Sequence, residues 1–153
     1  MSSISYIVFI LNNEEYGIEI SCAQEILRIP NQMIQIPNMP YYVEGVINLR
    51  GKVIPVIDLN KRFGFNQTER GLDSRLLIVD LKNTLLGIIV DDVSEIINVE
   101  EASIEKLSSV ISEIGKNSLK GIAKLENRLI VLLDAFKLNI EIFDNSLELE
   151  VKE

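Results

Sequence analysis

The 153-residue chain has no histidine, no tryptophan and a single cysteine. Without histidine it lacks the side chain that most often serves as general base near neutral pH, and nucleophilic triads in their usual form are excluded. One cysteine, Cys22, cannot close an internal disulfide, and no basic-then-apolar segment opens the sequence, so the chain is expected in the cytosol. No apolar run reaches the roughly 18 residues of a membrane span. Lys and Arg number 15 against 23 Asp and Glu, a formal charge of −8. That balance argues against nucleic acid, whose binders gain affinity by neutralising phosphates with cations, and serves solubility. The eight glycines form no phosphate-cradling loop of the G-x-x-x-x-G-K type. With 47% hydrophobic residues, a chain of this length buries roughly 68–70% of its unfolded surface and needs no covalent staple.

What is present is an internal echo. Gly17-Ile-Glu-Ile-Ser-Cys-Ala-Gln-Glu-Ile-Leu27 returns as Gly87-Ile-Ile-Val-Asp-Asp-Val-Ser-Glu-Ile-Ile97, displaced by 70 residues. Glu44-Gly-Val-Ile-Asn-Leu49 returns as Lys120-Gly-Ile-Ala-Lys-Leu125, displaced by 76, so the second copy carries six extra residues. Self-similarity fixes architecture before any finer reading. Two copies of this length predict two small pseudo-symmetric lobes: a first copy at about 5–65, a linker at about 66–74, a second copy at about 75–140 and a tail at 141–153, with terminal segments free to cross between lobes.

Short β-branched runs bounded by Asn, Gly and Pro predict five strands in the first copy, at Tyr6–Leu11, Glu15–Ile20, Met33–Ile36, Val43–Leu49 and Lys52–Ile57. Leu76–Leu81, Leu85–Val90, Ile96–Val99, Leu119–Leu125 and Arg128–Leu133 repeat the set. Asn12-Asn13, Arg50-Gly51, Lys82-Asn83 and Glu126-Asn127 supply the residues that tight hairpin turns demand. Cys22–Leu27 and Asp92–Ile97 read as short helices capped by Ser21 and Asp91, with strand an alternative for the later part of each. Ser103–Asn117 reads as a helix or an excursion, and Ala135 to about Phe143 as a final helix. Five short antiparallel strands make a small barrel filled by its own side chains, and two such lobes bury their remaining apolar faces against each other. The fold class is therefore mainly β: two five-stranded barrel subdomains in one domain.

Reactive constellations are few. Cys22 has no basic neighbour in sequence and reads as a packed residue. Asp91, Asp92 and Glu95 read as helix-terminal acids rather than a hard-metal cluster, and Asp58 and Asp134 as equivalent caps rather than an acid/base dyad. Ile36-Pro-Asn-Met-Pro40 is a stiff connector that either presents Met39 and Tyr41-Tyr42 or covers a barrel end. The charge at one hairpin turn reverses between copies, Arg50 against Glu126. An arginine there is either a solvated turn residue or an anchor for a partner carboxylate or carbonyl.

Tyr16-Gly-Ile-Glu-Ile20, Gln24-Glu-Ile26, Pro37-Asn-Met-Pro40, Gly45-Val-Ile-Asn-Leu-Arg-Gly51 and Ile54-Pro-Val-Ile-Asp-Leu59 together resemble the CheW family of bacterial chemotaxis coupling proteins. Gly87–Ile97 and Gly121-Ile-Ala-Lys-Leu125 are similar to that family's second half, and the likeness covers roughly residues 5–140. The resemblance implies two SH3-like five-stranded barrels, no enzymatic activity, no cofactor, and an adaptor that links the cytoplasmic tips of chemoreceptors to the regulatory domain of the histidine kinase CheA. Such a protein works in the cytoplasm at membrane-bound receptor arrays without entering the bilayer. Matching positions imply receptor contacts at Ile20, Ala23, Glu25 and Ile26, joined by Gly45, Asn48 and Arg50, and kinase contacts at Met33 and Val53. Ala23 is smaller than the valine often found at its position. With no receiver or kinase domain fused to it, the sequence favours a stand-alone coupling protein. The competing readings are a ligand-sensing or CheA/CheV-derived regulatory module, marked by an apolar cavity of roughly 300 Å³ or more, and a small metal-dependent hydrolase, marked by stabilisation on adding a divalent ion.

Overall fold

Tyr6-Ile-Val-Phe-Ile-Leu11 is apolar at every position because both faces of its strand are covered, which erases the usual alternation. The structure, a computed structural model, describes residues 2–65, 70–106 and 118–138. Its strands are β1 (Ser3–Leu11), β2 (Glu14–Glu19), β3 (Ala23–Leu27), β4 (Val43–Leu49), β5 (Lys52–Asp58), β6 (Arg75–Asp80), β7 (Leu85–Val90), β8 (Asp92–Glu100), β9 (Ile104–Glu105), β10 (Leu119–Leu125) and β11 (Arg128–Leu133), with one helical turn, α1 (Leu59–Arg62). Tyr6 and Val8 of β1 point into a core shared with Ile97, Ala123 and Leu132, while Ile7, Phe9 and Leu11 point the other way, into a core shared with Ile18, Leu77 and Ile88. β6 does the same. Leu76 and Ile78 join Ile54 and Val56, and Leu77 and Val79 join the common core. One apolar core thus fills each lobe, and a third cements the two together.

The strand orders are β3-β6-β7-β5-β4 and β8-β1-β2-β11-β10-β9. Laid side by side, they match β3 with β8, β6 with β1, β7 with β2, β5 with β11 and β4 with β10. Each sheet therefore takes its leading hairpin from one sequence copy and its remaining strands from the other. The crossing anticipated for terminal segments involves a whole hairpin. The cause is local: β2 runs through a 3-10 turn, Ile20–Cys22, straight into β3, and only Asp91 separates β7 from β8. No reversing turn intervenes at either place, so the chain leaves one sheet and continues into the other.

Of the four pairs expected to be equivalent, Gly17 with Gly87, Ile26 with Ile96, Asp58 with Asp134 and Ile20 with Val90, the first three are so. In parallel ladders Gly17 lies opposite Leu132, and Gly87 opposite Val56; an added Cβ would stand 3.2 Å from the partner's side chain in both cases. Ile26 pairs with Leu77 and Ile96 with Ile7 on matching ladders. Asp58 Oδ1 accepts from the backbone N–H of Asn60 (3.0 Å) and Lys61 (3.3 Å), and Asp134 Oδ1 from that of Phe136 (3.1 Å), so both act as caps. Ile20 and Val90 differ: the first sits in the 3-10 turn, the second still in strand. All four hairpin turns contain a residue at positive φ, among them Asn12, Asn13, Arg50, Lys82, Asn83 and Glu126.

Four expectations are corrected. Cys22–Leu27 and Asp92–Ile97 are not helices: Ala23–Leu27 and Asp92–Glu100 are strands. Ser21 lies inside the 3-10 turn Ile20–Cys22 and not at a helix start, and the Asp91 carboxylate accepts from Asn12 N (3.0 Å) and Asn60 Nδ2 (2.8 Å). Met33–Ile36 shrinks to a single bridge, Ile34 to Val46, because Pro30 and Pro37 bracket it; β9, paired with β10, is its counterpart in the other lobe. Met39 is not presented, since it packs on the common core beside buried Tyr42, leaving Tyr41 as the exposed member of the tyrosine pair. Residues 135–138 are helical; most of the excursion expected at Ser103–Asn117 and of the tail lies outside the described residues.

Candidate partner-binding surface

β3 and β4 are the outer strands of the five-stranded sheet, yet the sheet curls enough to bring them together. The Arg50 guanidinium, on the β4–β5 turn, pairs with the Glu25 carboxylate on β3. Asn48 Oδ1 accepts from Gly51 N at 3.0 Å and so holds that turn in shape; Arg50 itself has a φ of 51°. β3 alternates, with Ala23, Glu25 and Leu27 partly covered and Gln24 and Ile26 outward. Ala23, Glu25, Ile26, Asn48 and Arg50 are thereby carried on one lobe along a seam closed by an ion pair, and Ile20 stands in the turn that leads into it. Gly45 is buried below it. Its φ is +146°, and a Cβ would meet Ile34 O at 2.5 Å, so this glycine lets the 30–36 connector cross β4 and presents no side chain of its own.

Met33 and Val53 lie next to that seam rather than apart from it. Val53 is the cross-strand partner of Asn48, and directly paired residues share a face. Met33 lines a surface groove of about 390 Å³ together with Leu27, Pro30, Ile34, Asn48 and Leu49. The groove opens to solvent beside the exposed Ile34 and is not an enclosed ligand chamber.

The second lobe repeats the plan with different charges. Its closing pair is Arg128 to Glu95 (2.6 Å), with Glu15 as a second partner (2.5 Å). Hydrogen bonds to those two carboxylates hold the Arg128 guanidinium above its ordinary pKa. Glu95 is the counterpart of Glu25, whereas Arg128 stands where the first copy has Lys52. Exposed apolar residues also recur in pairs: Ile26 (46%) with Ile96 (58%), and Val53 (72%) with Leu129 (59%).

One network was not foreseen. Glu44 accepts from Arg70 (2.7 Å) and Lys61 (2.8 Å), and Arg70 also reaches Asp58 (2.9 Å). Burial alone would raise the Glu44 carboxyl, but the bonds from Arg70 and Lys61 outweigh it and hold the group below the usual range. The signal available in the sequence was the reversal of Glu44 to Lys120 between copies, parallel to the reversal at Arg50.

Each of the acids singled out above is committed to a structural contact. Asp91 is engaged by Asn12 and Asn60, Glu95 by Arg128, and Asp58 and Asp134 cap separate turns. Burial, and then the nearby Glu19 charge, push the Cys22 thiol up, away from the nucleophilic thiolate. Residues 5–141 match the CheW-like domain.

The chain belongs to the CheW family. The chemotaxis protein CheW of Bacillus subtilis (strain 168) is 36% identical over 129 residues, which cover 84% of this chain and 82% of that one. CheW of Klebsiella aerogenes is 32% identical over 133 residues, covering 87% and 80%. The crystal structure of the scaffolding protein TtCheW from Thermoanaerobacter tengcongensis superposes with a TM-score of 0.79 at 38% identity, covering 87% of this chain and 90% of that one. The two-lobed β architecture is thus that of CheW proteins.

Proposed function

We propose that this chain is a non-enzymatic adaptor that couples chemoreceptor signalling tips to the regulatory domain of CheA, working at the cytoplasmic face of receptor arrays. Family membership across residues 5–141 supports the role. The observation that supports the surface is the Arg50–Glu25 closure, which sets Asn48 and Arg50 beside the β3 residues Ala23, Glu25 and Ile26, with Ile20 in the turn that enters that strand. We assign receptor contact to these residues, with Gly45 as their structural support, and kinase contact to Met33 and Val53 at the neighbouring groove. The test is reconstitution: purified chain, a receptor signalling-tip fragment and the CheA regulatory domain, analysed by co-sedimentation. Ternary complexes with both partners are expected. Binding to neither partner, with stabilisation by a divalent ion or nucleotide in its place, sinks the adaptor reading.

A further inference from the structure

The crossover that leaves β2 and enters β3 is a single 3-10 turn. Its last backbone bond runs from Ala23 N to Ile20 O, and Glu19 at its N-terminus makes no side-chain cap. The Glu19 carboxylate is committed elsewhere, to Lys120 Nζ of β10 at 3.1 Å. The same ammonium donates to the hydroxyl of fully buried Tyr6 at 2.7 Å and lies 5.1 Å from the centre of that ring. Tyr6 is fixed in the lobe core, so Lys120 is fixed as well and grips the exit of β2. The opposite crossover, at Asp91, is pinned differently, by that carboxylate's two bonds and by Asp91 N to Ile10 O at 2.9 Å.

We infer that Lys120, on the opposite lobe from β3, is a positioning residue that sets the geometry of the receptor-contacting crossover Ile20–Ile26 through Glu19. The inference rests on the receptor assignment made above. Lys120 touches no partner in this scheme; it orders the crossover before binding, which spares the partner the cost of ordering it. Burial would lower the Lys120 ammonium, but its bonds to Tyr6 and Glu19 outweigh that and hold it above the ordinary lysine value. It therefore stays a charged donor throughout the neutral range.

Cys22 provides the readout. It is the sole cysteine, it is buried inside the 3-10 turn, and its reaction with a maleimide in the native protein reports opening of this segment. Lys120→Met and Glu19→Gln are each expected to raise the labelling rate about tenfold, equivalent to about 1.4 kcal/mol of local opening. Both should also weaken binding of a receptor signalling-tip fragment about three- to tenfold. The double variant should exceed neither single one, and Lys120→Arg should stay within twofold of wild type. Arg128→Met, which breaks that residue's ion pairs with Glu15 and Glu95 in the same sheet, should leave Cys22 labelling unchanged; it measures the effect of general loosening. Labelling of Lys120→Met within twofold of wild type, or matched by Arg128→Met, overturns the inference. Faster labelling with unchanged receptor affinity also overturns it if Arg50→Glu weakens binding. If neither Lys120→Met nor Arg50→Glu changes affinity, the receptor assignment itself falls.

Discussion

Replacing Arg50 by glutamate separates the two things this guanidinium can do: close the lobe and meet a partner. Its side chain is 67% exposed and that of Glu25 is 26% exposed, so the ion pair is largely screened and contributes about 0.2–1 kcal/mol to folding. Reversing the charge removes that and adds a carboxylate repulsion of similar size, for a total of about 0.4–2 kcal/mol. The upper part of that range exceeds the roughly 0.5 kcal/mol expected of a turn residue without a partner. At about 2–4 °C per kcal/mol for a domain of this size, melting should fall by roughly 1–8 °C. The turn accepts the new residue, because Glu126 holds a φ of 52° at the equivalent place. Binding should suffer more: truncating one member of a buried interfacial charge pair costs about 2–5 kcal/mol, which is about 30-fold to several-thousand-fold in affinity. Receptor-stimulated CheA phosphorylation should therefore collapse in a protein that still melts cooperatively, while Glu126→Arg leaves it intact. The swap variant, Glu25→Arg with Arg50→Glu, restores the internal pair but not a cation at position 50. If the swap recovers full coupling, Arg50 only closes the lobe; if Arg50→Glu couples as well as wild type, the partner role is refuted outright.

Two further outcomes follow from close contacts and from charge. Gly121→Ala sets a Cβ 2.6 Å from Ile104 Cγ2 and 2.8 Å from Glu105 O, and since a strand carbonyl cannot rotate away, the variant should lose about 1–3 kcal/mol; Gly71→Ala, with nothing within 4 Å of its Cβ, should melt like wild type, and equal melting of the two variants would contradict this. Glu44 has a folded pKa below its unfolded value of about 4.3, so the stability it contributes is complete above that value and drains away as pH falls through the lower, folded one. Glu44→Gln should accordingly be less stable than wild type at pH 7, with the gap in urea midpoint narrowing below about pH 4; a gap independent of pH would show that the carboxylate charge is not what stabilises.

The hairpins were legible because their chemistry is local. A positive-φ residue between two β-branched runs leaves few options, and β4, β7, β10 and β11 begin and end where the residues alone put them. The crossovers misled because Gln24-Glu-Ile and Val93-Ser-Glu carry polar residues at a spacing that suits a helix face as well as an edge strand with one wet side; the neighbour in the sheet decided it, and that neighbour lies about fifty residues away for β3 and ninety for β8. The surface residues Glu25, Ile26 and Asn48 were reached through likeness to a family, and Arg50 also through its charge reversal against Glu126. Their meeting depends on the curl of a sheet whose outer strands are distant in its hydrogen-bond order, and no spacing rule records that. The Glu44 reversal to Lys120 marked a position but could not name its partner, because Arg70 comes back to β4 only after the chain has passed through α1 and left the first copy.

The exchange of hairpins has a consequence for how the molecule comes into being. Ser3 pairs with Glu100, and Tyr16 with Val131, so the β1–β2 hairpin has no sheet to join until the second copy has been made. Pairings of such sequence separation fold slowly, and unpaired strands are open to wrong partners while they wait. A cut between the copies would leave each fragment with a hairpin for one sheet and trailing strands for the other, and neither fragment would complete a lobe alone. Two identical fragments would each complete the other by trading hairpins, as swapped dimers do. In its topology this protein is such a dimer with its two subunits tied end to end, and the tie removes the dependence on concentration that a separable pair would have.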